Sequence, residues 1–356
     1  MSRADRVTLR AAERELDALL VAEAVNLRYL TGFTGTSGLA LVGPELRIFA
    51  TDFRYVEQAA EQVDSRFEHR KAPRELLDVI AEALPPRRPL RLGFDDAHVT
   101  VKGHARLGEL LGDEVELVPA AGLVEAERAV KEPEEIASMR AAAALADEAL
   151  EAVLGDGLAG RTEQEVARRI EQEIRRRGAE PSFPPIVAAG AHGARPHAEP
   201  RDVEVAPDEL VVVDWGAQLE GYCSDCTRTL ATGGLDPEAG EVYDLVLSAQ
   251  LAALGAVRPG PTGKEVDAVA REIIAAAGHG EEFGHGLGHG VGLEVHEEPR
   301  LSKKGEDPLV AGNAVTVEPG VYLPGRFGVR IEDLVVVTED GVVVLSGRSK
   351  ELAIVA

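Results

Sequence analysis

Only two cysteines, Cys223 and Cys226, occur in 356 residues, which excludes the disulfide framework of a small secreted domain. Basic residues are also short: 38 Lys and Arg against 62 Asp and Glu leave a formal net charge of -24. A chain so acidic is repelled by phosphate backbones and anionic bilayers, which argues against nucleic acid or a membrane as its main partner. No apolar run approaches the ~20 residues that span a bilayer. The opening M-S-R-A-D-R is not followed by the apolar region of a secretory signal. These absences together give the expectation of a cytoplasmic protein. Direct reading finds no internal repeat, no low-complexity segment and no H-E-x-x-H; the glycines form neither a G-x-G-x-x-G register nor a P-loop ending in Lys-Ser/Thr.

What is present suits two soluble domains. The length fits two, and 45% hydrophobic with 28% charged residues is enough to build sizeable cores. Residues 1–122 read as a small α/β domain. Helical spacing covers Asp5–Leu20; strands are expected at Ala22–Gly32 and Gly38–Ala50, broken by Gly32, Gly35 and Gly43–Pro44. A helix capped by Asp52 follows over Phe53–Gln62, then helices at Arg74–Ala83 and Val101–Leu111 and strands at Leu90–Phe94 and Val115–Val118. Leu84–Pro89 is punctuation within the domain. A linker is expected at 123–132, holding a short polar helix, Val124–Val130.

From 133 to 356 the pattern is α+β. Pro133 sits where a missing N–H costs nothing, at the start of a helix through Leu154. A second helix, Thr162–Arg177, carries the Thr162/Glu165 capping-box pattern and stops at Gly178. Strands follow at Ile186–Ala189, Glu209–Ala217 and Tyr222–Ala231, then helices at Pro237–Val257 and Lys264–Ala277. The last strands are Ala314–Glu318, Gly328–Thr338, Val342–Leu345 and Glu351–Ala356. Strands gathered in this way predict an antiparallel sheet with helices on its outer face.

Chemistry collects at three places. Phe283–Glu297 reads F-G-H-G-L-G-H-G-V-G-L-E-V-H-E, poor at either helix or strand because of its glycines, yet holding His285, His289 and His296. In V-V-V-D-W-G-A-Q-L-E-G-Y-C-S-D-C-T-R-T, a symmetric hairpin centred between Leu219 and Glu220 sets Asp214 opposite Asp225. Cross-strand partners lie ~5 Å apart at Cβ and like charges there destabilise, so a cation is needed to offset them. In T-V-E-P-G and V-R-I-E-D, symmetry about Gly325 likewise faces Glu318 with Glu332. Arg330, two residues before Glu332, shares its strand face and is placed to hydrogen-bond a ligand carboxylate. Four carboxylates and the imidazole of His289 suit two divalent first-row ions, with Mn²⁺ favoured by the hard oxygen donors and Co²⁺, Zn²⁺ or Fe²⁺ as alternatives. Two such ions ~3.5–4 Å apart can activate a bridging water and clamp an attacked carbonyl. His197, after Pro196 in A-R-P-H-A-E-P, is equally readable as an ordinary loop histidine. Cys223-Ser-Asp-Cys226 reads as strand rather than redox motif, since positions three apart face opposite sides.

At these residues the chain resembles the pita-bread metallopeptidases, most closely the aminopeptidase P / prolidase branch. The resemblance extends to Y-L-T-G-F-T-G and T-D-F-R-Y-x-E-Q-A near the N-terminus, and implies a creatinase-like α/β N-terminal domain before a pita-bread catalytic domain with a curved antiparallel sheet. It implies that Asp214, Asp225, His289, Glu318 and Glu332 are metal ligands, with Asp225 and Glu332 bridging and Glu318 also taking the proton of the attacking water. His197 and His296 match histidines that bind the scissile carbonyl and stabilise the tetrahedral intermediate, His285 one that lines the proline pocket, and Arg330 the arginine of the X-Pro-cleaving branch. Gly190…His192 departs from the frequent G-x-N. The implied activity is hydrolysis of the bond before proline in a peptide, as Xaa-Pro aminopeptidase or dipeptidase, with a homodimer expected from the family. A methionine-aminopeptidase-like exopeptidase and a non-catalytic peptide-binding module are the rival readings; the intact ligand set disfavours the second.

Overall fold

Apolar runs that are continuous rather than periodic decide the N-terminal architecture. The computed structural model describes residues 1–86 and 89–355, in two compact units, Met1–Arg128 and Ala129–Ala356. Arg87 and Arg88 within the Leu84–Pro89 punctuation, and Ala356, lie outside the described residues.

The first unit runs α1 (Arg3–Glu13), β1 (Ala18–Val21), α2 (Ala24–Thr31), β2 (Gly38–Gly43), β3 (Leu46–Thr51), a 3-10 turn at Phe53–Tyr55, α3 (Val56–Gln62), β4 (Glu68–Lys71), α4 (Leu76–Ala83), β5 (Leu90–Phe94), α5 (Val101–Leu111), β6 (Val115–Pro119) and α6 (Leu123–Arg128). Its sheet has the order β4-β3-β2-β1-β5-β6. The expected helix Asp5–Leu20 is too long: α1 ends at Glu13, Glu15 turns the chain at φ 57, and A-L-L-V becomes a strand buried at all four positions. The expected strand Ala22–Gly32 is instead α2, capped by the Glu23 carboxylate and closed by Gly32 at φ 84, the usual left-handed stop. Gly38–Ala50 divides into the β2–β3 hairpin. The charged edge strand β4 (E-H-R-K) was not anticipated, because an edge strand needs no apolar alternation. The residues expected as linker include α6, whose Glu127 accepts hydrogen bonds from Arg6 and Arg10 and whose Leu123 and Val124 are buried. It is an integral helix of this unit.

The second unit opens with α7 (Pro133–Leu154) and α8 (Glu163–Arg176), the latter with the Thr162/Glu165 capping box formed. There follow β7 (Glu180–Pro181), β8 (Ile186–Ala189), β9 (Leu210–Trp215), β10 (Ala217–Leu219), β11 (Tyr222–Cys223), β12 (Cys226–Ala231), α9 (Pro237–Ala256) and α10 (Gly263–Ala276). The last elements are β13 (Gly288–Gly290), β14 (Glu297–Leu301), β15 (Ala314–Val317), β16 (Gly320–Leu323), β17 (Phe327–Arg330), β18 (Asp333–Thr338) and β19 (Gly341–Val344). Antiparallel ladders β12-β9-β8, β11-β10-β7 and β14-β13-β15-β18-β19, with the β16–β17 hairpin, form its sheets. One core packs α7 and α8 on β8 and β9 through Leu150, Val153, Val166, Ile170, Val211 and Val213. A second packs α9 and α10 on β15, β17 and β18. Among the described residues, the expected terminal strand Glu351–Ala356 contributes the bridge from Ile354 to Ala231 and no regular strand.

Candidate active site

Both carboxylate pairs reach one cavity of about 580 Å³, but only one does so in the expected register. Along β9, Val211, Val213 and Trp215 are buried against the helices, so strand alternation turns Asp214 to the other face. The β9–β12 register sets Asp214 against Thr227, not Asp225, and the β10–β11 register sets Leu219 against Tyr222. The turn is therefore Glu220–Gly221, with φ 51 and 90, the geometry of a two-residue reversal. The expected centre was one residue too early. Asp225 falls in the break between β11 and β12, where Ser224 bonds back to Ala217 and a side chain at Gly216 would strike the Ser224 carbonyl.

The second pair keeps the expected register. Val317 pairs with Asp333 in one ladder and Gly320 with Arg330 in the next, so Glu318 and Glu332 face each other in the gap between ladders. Their backbone N–H groups go elsewhere, Glu318 to the Leu287 carbonyl at 2.8 Å and Glu332 to that of Thr227 at 3.0 Å. On β13, a Cβ on Gly288 or Gly290 would collide with the Thr316 or Glu298 carbonyl; the glycines let three strands close around His289. Its Nδ1–H donates to the Gly290 carbonyl at 3.0 Å, which frees Nε2 to point at Glu318 Oε1, 3.3 Å, and Asp225 Oδ2, 3.7 Å.

Ligand-capable atoms of Asp225, His289 and Glu332 lie within 4.8 Å of one another. Burial, then the neighbouring carboxylates, push Asp225 and Glu332 well above the ordinary carboxylate range. Burial also raises Asp214, against the pull of Arg330. Burial would raise Glu318 too, but the hydrogen bond and charge of His289 outweigh it and bring it to about 2. Among the described residues, Asp214 Oδ1 is buried with no hydrogen-bond partner. Converging acids that resist ionising together, and an acceptor aimed at nothing, fit bound divalent cations.

The remaining expected residues line the same cavity. His197 and His296 are exposed on its rim, and the His296 ring meets that of His289 edge-on at 4.3 Å. His285 donates from Nδ1 to Gly286 and accepts at Nε2 from the Tyr322 hydroxyl, 3.0 Å. Buried Arg330 donates to Asp214 Oδ2 at 2.6 Å, Thr227 Oγ1 at 2.9 Å, Tyr322 at 2.9 Å and the Pro196 carbonyl at 3.1 Å.

Several participants escaped the sequence reading. Thr227 donates to Glu332 Oε2 at 2.6 Å, and Thr316 to Glu318 Oε1 at 3.1 Å; the correct hairpin register alone would have put Thr227 beside Asp214. Tyr322 joins Arg330 to His285. Phe183, Pro184, Ile186 and Val295 supply apolar wall. His192 does not line the cavity: it is buried against Glu163, 2.9 Å, which also holds Arg201. Cys223 and Cys226 are free, their sulfurs directed at the Leu293 and Glu332 carbonyls, and burial pushes the Cys223 thiol up to about 11.

Residues 137–339 match the model of metallopeptidase family M24, and residues 3–130 that of the creatinase/prolidase N-terminal domain. The chain belongs to metallopeptidase family M24. Relatives of this M24 chain include an Xaa-Pro dipeptidase of Pyrococcus horikoshii, 34% identical over 96% of this chain and 95% of that protein. Among solved structures, an Xaa-Pro dipeptidase from Bacillus anthracis superposes with a TM-score of 0.95 at 38% identity, covering 99% of both chains. An X-Pro aminopeptidase from Thermotoga maritima gives 0.88 at 35% identity, covering 97% of this chain and 99% of that one. The two-part architecture expected from the resemblance, a creatinase-type N-terminal domain before a pita-bread catalytic domain, is thereby established.

Proposed function

We propose that this M24 protein is a dinuclear metal-dependent exopeptidase that hydrolyses the bond between an N-terminal residue and proline. The observation carrying the proposal is the convergence of Asp214, Asp225, His289, Glu318 and Glu332 on one cavity, with Asp214 Oδ1 buried and unpartnered among the described residues. Those five side chains would hold the cations, with Mn²⁺ the first choice for so oxygen-rich a set. When bound, two such ions supply Lewis-acid activation of water and of the scissile carbonyl.

The chain's own residues do the rest. Glu318, ionised and accepting from Thr316, is the proton acceptor for the attacking water and returns that proton to the leaving proline nitrogen. His197 and His296 on the rim direct imidazole N–H groups at the oxyanion. Arg330 fixes the Asp214 carboxylate and, through Tyr322, the orientation of His285. His285 with Phe183, Pro184 and Ile186 forms a surface for a pyrrolidine ring. An X-Pro bond is a tertiary amide with no N–H to donate, so recognition falls to such a surface.

Incubation of the metal-loaded protein with Ala-Pro and with Ala-Pro-Ala tests the proposal. Cleavage after the first residue, lost with chelator and restored by Mn²⁺, is expected; the ratio of the two rates assigns dipeptidase or aminopeptidase character. Failure to cleave either peptide with any first-row divalent ion rejects it.

A further inference from the structure

Six residues, 291–296, connect β13 to β14 and end in His296. The connection is wrapped around a carboxylate. Glu297, the first residue of β14, folds its side chain back beneath the loop and accepts from the Glu294 N–H at 3.1 Å. A Cβ at Gly292 would lie 2.6 Å from that carboxylate, so a side chain at 292 would displace it from this position. The charge is met by Lys131, whose Nζ donates to Glu297 Oε2 at 2.9 Å. This ion pair is among the driest in the protein, with side chains 1% and 5% exposed.

Lys131 is itself fixed. Its N–H donates to the Gly312 carbonyl at 2.8 Å, the bridge between Val130 and Asn313 holds the preceding residue, and Pro133 begins α7 two residues on. The far side of the loop is tied by the Cys223 N–H to the Gly292 carbonyl at 2.7 Å and by the Val291 N–H to the Ala314 carbonyl at 3.0 Å. Lys131 falls between the two family matches, which end at 130 and resume at 137.

We propose that the buried Lys131–Glu297 ion pair is a positioning device for His296. Consecutive residues entering a strand point to opposite faces. Anchoring Glu297 inward therefore commits His296 outward, to the cavity wall and against the His289 ring. A buried ion pair is a poor way to gain stability, because desolvation consumes most of the attraction and an apolar pair of similar size does as well. Its effect here is directional: one acceptor and one donor fix where the loop closes. The inference rests on the reading of His296 as a group that meets the substrate.

A double-mutant cycle on the Mn²⁺-loaded protein tests it. His296→Ala, the apolar exchange Lys131→Met with Glu297→Leu, and the triple combination are assayed at saturating Ala-Pro, with melting temperature and calorimetric Mn²⁺ titration in parallel. The apolar exchange is expected to leave melting and Mn²⁺ affinity near wild type while lowering kcat by about 10- to 100-fold, the scale of a misplaced catalytic group. In the His296→Ala background it should cause no further loss. Wild-type kcat in the folded exchange variant, or losses that multiply in the triple variant, overturns the positioning role while leaving His296 in place. Wild-type kcat in His296→Ala overturns the assignment of His296 and this inference with it. If the apolar exchange does not fold, Lys131→Arg decides: a longer planar cation displaces the carboxylate, so a partial loss of kcat that vanishes in the His296→Ala background is expected, and wild-type kcat overturns the proposal.

Discussion

The two strand pairs that deliver four carboxylates to the cavity do so by different means. Asp214 and Asp225 belong to one continuous reversal whose register is set by the tight turn Glu220–Gly221. Glu318 and Glu332 face each other where two ladders meet, and their backbones are held by neighbouring strands rather than by each other. Their electrostatics differ as well. Asp214 is paired with a buried guanidinium, whereas Glu332 accepts from the Thr227 hydroxyl and is raised by burial and the charges of Glu318 and Asp214. Position depends on a turn in the first pair and on sheet architecture in the second; in each pair one acid, Asp214 or Glu318, has Arg330 or His289 beside it, and the other, Asp225 or Glu332, is raised by burial and neighbouring acids.

The largest effects should separate the pairs in stability although both are needed for activity. Glu318→Gln and Asp214→Asn are each expected to lower Ala-Pro hydrolysis by about 10³-fold or more, since proton transfer and metal binding both fail. Asp214→Asn also strands Arg330 in the interior, and losing one partner of such a pair costs about 3–5 kcal/mol. Glu332→Gln strands no cation and removes an acid whose ionisation burial and its neighbours oppose, so the metal-free variant should melt at or above the wild-type temperature. Equal destabilisation by Asp214→Asn and Glu332→Gln in chemical denaturation would break the comparison.

A smaller effect comes from pH. Asp225 and Glu332 are raised in the metal-free fold, so above the ordinary carboxylate range the folded chain holds more protons than the unfolded one. Stability then falls as pH rises from about 4 toward the raised values, because the slope follows the protons bound unfolded minus those bound folded. Bound metal needs both groups ionised, which reverses the sign: the loaded protein should gain on the metal-free one as pH rises, with protons released on binding. Thermal melts with and without Mn²⁺ between about pH 4 and 7 check this; parallel curves would show that the two carboxylates are not held protonated.

How much of this was legible depended on how locally each feature is encoded. The Glu318/Glu332 register could be read because both ladders share one symmetric reversal around Gly325. The Asp214/Asp225 register was missed by one turn position, because Glu220 adopts positive φ, which a non-glycine residue does not announce. Helices with caps and proline starts, α7 through α10, lie within a residue or two of expectation. α2 could not be read because burial, not local propensity, decided it, and β4 because an exposed edge strand carries no apolar alternation. Tyr322 was invisible for another reason: its role is a pair of hydrogen bonds to Arg330 and His285, side chains from two other segments.

The smallest predicted effect isolates the turn itself. Gly221 at φ 90 and Gly325 at φ 77 each occupy the left-handed region at the tip of one reversal, and Gly325 has open space where a Cβ would stand. Alanine at either position should cost about 1 kcal/mol through the same backbone strain. The consequences for the site should differ. At Gly325 the carboxylates lie seven residues from the tip and are gripped by Leu287 and Thr227, so kcat should stay within error of wild type. At Gly221 the tip is four residues from Asp225, whose segment has no regular pairing of its own, and strain there can be relieved only by shifting the register that fixes it. Gly221→Ala should therefore weaken Mn²⁺ binding and kcat several-fold at the same loss of melting temperature. Were Gly325→Ala the more damaging to activity, the contrast between a turn-held and a sheet-held pair would be wrong.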